Sequence, residues 1–560
     1  MAIAVRVYTS ADDVQIVWRP NGPIERCRGF AVYRRVGTGP ATVLHTTVGF
    51  ENAVASLDAA PTGRPSTEWP IQKYLWTDYL VREGDRVRYR VVPMVGRAGK
   101  LRRAISQASD WTPSVRVGPP TGSFEVRFNR GIVASQWLAR RLPALPGNTP
   151  NTKLRTAIEA VGGGLRGFMS GQAREALLRL VADVAGQPHR SLYAALFELS
   201  DPELVGALTA LGSRLHVVLA NGAVKKKGED ENAAARAALN AAGAEVIDRM
   251  IAPNRLAHNK FAVVCDTGGK PMTALTGSTN WTATGLCTQS NNVLVVHDRG
   301  VAAWFLDAWK RLAAVGSTTP GSLVSANSVI RTGMVDGRTV TAWHTPVTGA
   351  VDLADAARRI DAATQGILFL MFSPGNRGTL LNTILARGDP ASPTHDPDLY
   401  VNGVLNQDPS TVKNPVTLYH RGEPNRLGFD VVLPAAVNDP LAFWRPELLK
   451  LAGTHAMIHS KVVVVDPFGD HPVVMTGSHN LGPRASGRND DNLVIVEGDH
   501  QLAEAYAITM MAIYGHYRWR QRLAQGTRWR GLWDSARWQR RYFDDPVLLA
   551  EARFWMGGAI

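Results

Sequence analysis

Cysteine is scarce in this chain, and its three positions, Cys27, Cys265 and Cys287, are too scattered for a disulfide framework or a zinc site. The composition implies no metal and no cofactor. Long apolar runs are missing as well. No stretch approaches the roughly 18 apolar residues of a membrane span, and MAIAVRVYTSADDVQIVW reaches acidic residues before any apolar core of signal length. The expectation is a chain without a transmembrane segment, cytoplasmic or exported without a conventional signal peptide. Acidic residues are in deficit, 48 Asp and Glu against 62 Lys and Arg, which leaves a formal charge of +14. That surplus points to an anionic partner, either nucleic acid or the headgroup surface of a membrane, although basic surfaces also serve solubility.

What the chain does have is an internal repeat. Residues 258 to 280 read HNKFAVVCDTGGKPMTALTGSTN, and residues 459 to 480 read HSKVVVVDPFGDHPVVMTGSHN. His258, Lys260, Gly277, Ser278 and Asn280 are thus mirrored by His459, Lys461, Gly477, Ser478 and Asn480. Beyond each motif comes a second asparagine leading an apolar strand, Asn292 with VLVV and Asn492 with LVIV. Upstream, SLYAALFEL and RLHVVLANG flank a helical pattern, and GILFLMFSP and DLYVNGVLN flank TLLNTILARG in the same order. Apolar runs alternating with amphipathic stretches indicate α/β units around a buried sheet. Two such halves packed about a pseudo-twofold axis are expected.

Residues 1–117 differ from the rest. VQIVW, GFAVYRR and VRYRVVPMV alternate apolar and polar positions between Gly, Pro and Asp punctuation, which predicts a small all-β sandwich. With Trp18 early, Tyr89 late, and Trp76 and Asp78 between, this segment resembles a fibronectin type III domain. VRVGPPTGS reads as a linker. The halves are expected over 121–316 and 317–520, followed by a basic, Trp-rich segment over 521–560.

The motif residues suit phosphoryl chemistry. Histidine titrates near neutrality and serves as nucleophile, acid or base. A lysine two positions along a strand shares its face. If the strand heads meet, two imidazoles and two ammonium groups face one spot, with Asn280, Asn480, Ser278 and Ser478 as uncharged donors. Cations and donors hold phosphoryl oxygens, one imidazole attacks phosphorus and the other protonates the departing alcohol.

On these residues the chain resembles the phospholipase D superfamily, with its His-x-Lys-x4-Asp and Gly-Ser/Gly-x-Asn motifs in two copies. The second copy is complete, with Asp466 after four valines. In the first, Cys265 occupies the aspartate's place and Asp266 comes one position late; a one-residue bulge is the way to restore it. Family members usually carry a carboxylate eleven positions beyond the motif asparagine, where it orients the motif histidine. Here those positions hold Asp491 and Asn291. Asp491 is accordingly expected to serve His459 and make it the proton carrier, with Asn291 serving His258, the nucleophile.

The resemblance implies a phosphodiesterase working through a phosphohistidine without metal, Lys260 and Lys461 supplying the positive charge. Phospholipid hydrolysis, with transphosphatidylation as its variant, is the first expectation for the substrate. A DNA or RNA endonuclease is the second, and a degenerate binding member the third. A monomer is expected, because both motifs lie in one chain.

Three further stretches qualify as substrate-binding features. Residues 516 to 543, HYRWRQRLAQGTRWRGLWDSARWQRRYF, interleave arginine with Trp519, Trp529, Trp533 and Trp538. They suit an interfacial membrane helix, a nucleic-acid surface, or packing back onto the domain. Lys225, Lys226 and Lys227 read as a solvated loop. The second half carries a longer, proline-rich path over about 388–446, either a lid or a tolerated insertion.

Overall fold

The computed structural model describes residues 3–50, 63–131, 144–226, 228–411, 413–423, 428–434, 457–526 and 531–558. The N-terminal part forms two antiparallel sheets. One runs Ile3–Thr9, Val14–Pro20, Leu75–Asp78. The other runs Val115–Arg116, Arg86–Arg97, Cys27–Val36, Ala41–Val43, with Lys100–Arg103 also paired to Arg86–Arg97. Period-two alternation sends Val14, Ile16 and Trp18 into a core shared with Phe30, Val32 and Tyr89. The Tyr89 hydroxyl donates to Asp78 Oδ2 at 2.9 Å, which satisfies the polar end of a fully buried ring.

Each α/β half is built on one mixed sheet. In the first, Glu245–Arg249, Leu215–Ala220 and Ser191–Leu196 are parallel neighbours. The antiparallel strands Lys260–Cys265, Pro271–Gly277, Asn292–Val296 and Phe124–Phe128 follow across the sheet. The second half repeats this order with Phe429–Val432, Tyr400–Leu405, Gly366–Met371, Val462–Val465, Val473–Gly477, Asn492–Glu497 and Arg338–His344, and adds Arg331–Val335 at the edge. Strands covered on both faces read as continuous apolar runs, which is why the valine run of residues 462–465 shows no alternation.

Helices cover the outer face of each sheet, and the inner faces share one large core that spans both halves. The long helices Arg299–Val315 and His500–Ala524 pack into that core. Each follows the last strand of its half and begins on an aspartate cap, Asp298 or Asp499, whose carboxylate accepts from a first-turn N–H. Among the described residues no helix is long and apolar enough to cross a membrane.

The Trp-rich C-terminal stretch is not one interfacial helix. Its helix ends at Ala524, Trp519 is half-buried, Trp533 is 56% exposed, and Trp529 lies outside the described residues. Trp538 packs back onto the N-terminal sheets, 5.5 Å from Tyr74 and 6.1 Å from Phe30 between ring centroids, and its indole N–H donates to the Cys27 carbonyl at 3.2 Å. Beside it Gln539 exchanges hydrogen bonds with the backbone of Ile24. Trp538→Ala should therefore cost about 3–5 kcal/mol of stability, the usual penalty for emptying a buried aromatic site. Urea unfolding of the full chain checks this, and an unchanged midpoint would contradict the packing role.

In the basic loop, the backbone N–H groups of Lys225 and Lys226 donate to Glu229, both lysines are exposed, and Lys227 lies outside the described residues. Of the longer path in the second half, Phe429–Val432 supplies the third parallel strand, whereas residues 412, 424–427 and 435–446 lie outside the described residues.

Candidate active site

The strand heads of the two halves meet. Gln289–Ser290 pairs in parallel with Met457–Ile458, the His459 N–H donates to the Ser290 carbonyl at 3.1 Å, and the Asp490 N–H donates to the Leu256 carbonyl at 2.9 Å. A buried bidentate ion pair, Arg249 to Asp490 at 2.7 and 3.0 Å, ties the halves beside them. Underneath, Thr276 donates to Asn492 at 2.6 Å, and Asn292 donates to Thr476 at 3.0 Å and Tyr506 at 2.8 Å.

The repeated glycines are required by close approach. Gly277 and Gly477 have φ of 144° and 145°, and a Cβ on either would stand 2.3 Å from the carbonyl oxygen of Asn292 or Asn492. A side chain there would push away the strand that carries the histidine's partner.

The carboxylate pairing is the reverse of the one expected from spacing. Asp491 serves His258 in the opposite half, with Oδ1 2.8 Å from Nδ1. His459 has Nδ1 2.9 Å from Asn291 Oδ1 and 3.1 Å from the Ser278 carbonyl. The cause is the interlocking of the halves, which carries each strand Asn292–Val296 or Asn492–Glu497 across the axis at its head. The Asn291 amide orientation is fixed, because its NH2 donates to the Gly285 carbonyl at 2.8 Å and its oxygen must then face His459. The motif serines are turned the same way and are not free donors at the centre. Ser478 donates to Asp491 at 2.6 Å and Ser278 to Asn291 at 2.8 Å, so each holds the group that holds the histidine.

The two copies are otherwise closely matched. Lys260 Nζ donates to the carbonyl of His258 at 2.7 Å, and Lys461 Nζ to that of His459 at 2.6 Å. Phe197 and Phe372, directly after the strands Ser191–Leu196 and Gly366–Met371, lie 4.8 and 4.9 Å from the imidazoles and 4.8 and 5.1 Å from the ammonium groups. Asn280 Nδ2 donates to Glu198 at 2.7 Å, and both Asn280 and Asn480 keep a buried side-chain oxygen without a protein partner.

The two motif aspartates do not reach this centre. Asp466 sits past the far end of the strand Val462–Val465, where its carboxylate accepts from the N–H groups of Thr364, Gln365 and Gly366 at 2.7–2.8 Å. It fastens the start of the neighbouring strand, so its expected place among the reacting groups is corrected to an anchoring one. In the first half Cys265 pairs opposite Ser191, the register that Asp466 holds against Gly366. A bulge does occur between Val264 and Cys265, yet it leaves Asp266 in the exposed hairpin turn, accepting from Gly268 and Lys270.

Charge and burial set the protonation states. Burial and the ammonium of Lys260 push His258 down to about 4 against the upward pull of Asp491. Burial, Lys461, Lys260 and His258 push His459 well below the ordinary histidine range. Both imidazoles are neutral at pH 7 in the free protein. Burial also lowers Lys260, to about 7, and Lys461. Against burial, the hydrogen bond from His258 and the nearby Lys260 ammonium hold Asp491 below the ordinary carboxylate range. A phosphodiester anion between the lysines would offset these burial costs and favour protonation. Among the described residues no three or more His, Cys, Asp or Glu side chains are grouped so as to hold a metal ion.

The same burial makes stability depend on pH. His258 at about 4 and His344, lowered by burial to about 3, stay neutral in the fold while the unfolded chain takes up their protons below about 6.5. Each should therefore remove about 1.4 kcal/mol of stability per pH unit as pH falls from well below 6.5 toward 4. Urea midpoints at pH 7, 5.5 and 4.5 test this; a flat series would contradict neutral burial.

Several site residues carry no motif of their own. Glu198, which accepts from Asn280, follows Phe197 with no carboxylate at the matching place, Ser373. His479, the variable residue of its Gly-Ser-x-Asn, has Nε2 3.0 Å from Asp352 Oδ2, which ties the motif loop to the helix Val351–Asp361. The repeated Phe after each first strand was the available signal for Phe197 and Phe372, whereas Asp352 left none.

Comparison with known families finds a match to the one described as "Cardiolipin synthase, PLD-like domain" over residues 183–313 and 443–511. Comparison with curated protein sequences gives no match. Among solved structures, polyphosphate kinase from Porphyromonas gingivalis is similar at 12% identity and a TM-score of 0.41, covering 63% of this chain and 51% of that one. This chain thus spans about half the length of that kinase. Phosphatidylserine synthase from Haemophilus influenzae is similar at 10% identity and a TM-score of 0.42, over 62% and 85% of the two chains. The phospholipase D family member Nuc from Salmonella typhimurium is similar at 18% identity and a TM-score of 0.21, over 32% and 95%. Matched in the two segments that carry its His-x-Lys and Gly-Ser-x-Asn motifs, and folded as two α/β halves around them, the chain carries a phospholipase D-like domain.

Proposed function

We propose that this chain is a phospholipase D-type phosphodiesterase that acts on phospholipids through a phosphohistidine and needs no metal. The observation that carries the reading is the pair of buried, oppositely backed imidazoles, His258 on Asp491 and His459 on Asn291, flanked by Lys260 and Lys461. With its proton held on Nδ1 by Asp491, His258 keeps the Nε2 lone pair for phosphorus, and the carboxylate balances the positive charge that grows on the ring as the P–N bond forms. The carboxylate expected to make His459 the proton carrier backs the nucleophile instead; His459, backed by neutral oxygens only, has the more acidic imidazolium and gives up its proton the more readily. His459 gives the Nε2 proton to the departing alcohol oxygen as the P–O bond breaks. In the second step it takes a proton from water or a second alcohol, whose oxygen displaces His258. Lys260 and Lys461, with Asn280 and Asn480, hold the phosphoryl oxygens.

A phospholipid substrate is supported by the matched family, whose description names a cardiolipin synthase. An endonuclease is the second reading, favoured by the formal charge of +14. The third reading, a degenerate binding member, loses its two motives: Cys265 takes over the register of Asp466, and Asn291 still orients a histidine. We read the chain as active as a monomer, since one chain supplies both copies, and residues 1–117 as a fibronectin type III-like packing module.

The test is turnover in EDTA on mixed phospholipid vesicles and, in parallel, on plasmid DNA, with His459→Ala as control. Headgroup release, and transfer to an added primary alcohol, both lost in the variant, are the expected results. Cleavage of DNA alone would make the nuclease reading correct, and activity unchanged in the variant would refute the site.

A further inference from the structure

A second feature lies apart from the histidines. A cavity of about 1180 Å3 opens between the N-terminal sheets, the helix His500–Ala524 and the C-terminal helix Pro546–Trp555, and no residue of either motif lines it. It exceeds the roughly 300–1,000 Å3 of ordinary small-molecule pockets and lies at a junction of substructures, where such sites concentrate. Val17, Leu75, Met511, Val547, Leu548 and Met556 give it apolar walls.

Cations outnumber the carboxylates Asp12, Asp13, Asp545 and Glu551 on its wall, Asp12 holding Arg130. Arg421 is held by Glu551 at 3.0 Å and Arg518 by Asp430 at 3.1 Å. Asp545 is occupied in capping its helix, accepting from the Val547 N–H at 2.9 Å. Lys73, Arg522 and Arg541 also line the cavity, and among the described residues none of them has a carboxylate within ion-pairing distance; Arg541 donates to the Tyr542 hydroxyl at 3.2 Å and lies 4.9 Å from the centre of that ring. Lys73, Arg522 and Arg541 are all solvent-exposed, so their ammonium and guanidinium groups are open to a bound anion. Apolar walls alone would admit any hydrophobe, and cations alone any phosphate; their combination selects for both.

We propose that this chamber binds a single-chain amphiphile with an anionic head, its carboxylate or phosphate against Lys73, Arg522 and Arg541 and its alkyl chain along the apolar wall. The chamber also adjoins the machinery of the other site. Asn129 lines it, and the Asn129 side-chain oxygen accepts the backbone N–H of Asn291, the residue that orients His459, at 2.9 Å. The chamber wall therefore includes a group that positions a reacting imidazole.

The experiment titrates dodecanoate and dodecyl phosphate, below their micelle concentrations, into the full chain and reads the fluorescence of the lining Trp18, Trp519 and Trp555 together with calorimetric stoichiometry. One bound amphiphile per chain is expected, with at least tenfold weaker binding in Lys73→Gln/Arg522→Gln and unchanged binding in His459→Ala. Leu548→Trp, which fills the chamber and leaves its charges, should weaken binding as well and guards against a charge variant that misfolds. The tighter of the two ligands identifies the head. Equal affinity for dodecyltrimethylammonium, equal affinity for inorganic phosphate, indifference to both sets of substitutions, or loss of binding in His459→Ala would each overturn the proposal, the last by moving the ligand into the histidine site.

Discussion

Asp491→Asn is expected to lower kcat about 100- to 1,000-fold while KM stays within a few-fold. The substitution isolates charge from geometry. Asp491 Oδ1 receives both His258 Nδ1 and the Ser478 hydroxyl, and its Oδ2 is buried without a hydrogen bond. An asparagine can keep its oxygen toward the two donors, as Asn291 already does in the other half, so the tautomer of His258 survives. What disappears is the negative charge that stabilises the ring as it bonds to phosphorus. Loss of a buried carboxylate that also fixes the tautomer costs about 10,000-fold in a serine-protease triad, and the smaller figure here reflects the retained tautomer. The pH profile separates the two pairings. Removing the carboxylate takes away an upward pull on His258, so the limb of kcat/KM that His258 sets moves to lower pH. If Asp491 acted through His459 instead, the alkaline limb would move. Asn291→Asp is the reciprocal case, raising His459 and shifting the alkaline limb upward.

With an activated aryl phosphodiester, His459→Ala should release a burst of about one nitrophenolate per active site and then stall. His258→Ala should give no burst and lose turnover by at least about 1,000-fold. A nitrophenolate leaves without help from an acid, so the first step survives loss of His459. The second step does not, because the attacking water has lost its base. The measurement is pre-steady-state absorbance with the two variants side by side. A burst in His258→Ala and none in His459→Ala would exchange the two roles.

The parts of this protein visible in its sequence are those that repeat locally. Two copies of His-x-Lys and Gly-Ser-x-Asn, each on apolar runs in the same order, were enough to place the strands and to predict that the strand heads meet, because period and burial are properties of a single segment. The partner of each histidine was not legible. Spacing within a half put Asp491 with His459, but the bond runs across the pseudo-twofold axis to His258, and no local period records a contact between halves. Asp466 misled for a different reason. It completes the motif string, yet four valines of strand separate it from Lys461, and at that distance its carboxylate serves the backbone of residues 364–366. The tryptophans of the C-terminus show the limit of composition: Trp538 and Trp533 belong to one Arg/Trp pattern, and only the approach of the N-terminal sheets buries the first and leaves the second exposed.

The most direct test of the central claim, one nucleophile and one proton carrier drawn from opposite halves, is to find where phosphorus becomes attached. Wild-type protein mixed with an aryl phosphodiester in EDTA, quenched in alkaline denaturant within a single turnover and digested for mass spectrometry, should carry the phosphoryl adduct on the peptide containing His258. An adduct on His459, or steady turnover with no histidine adduct at any quench time, would contradict the account.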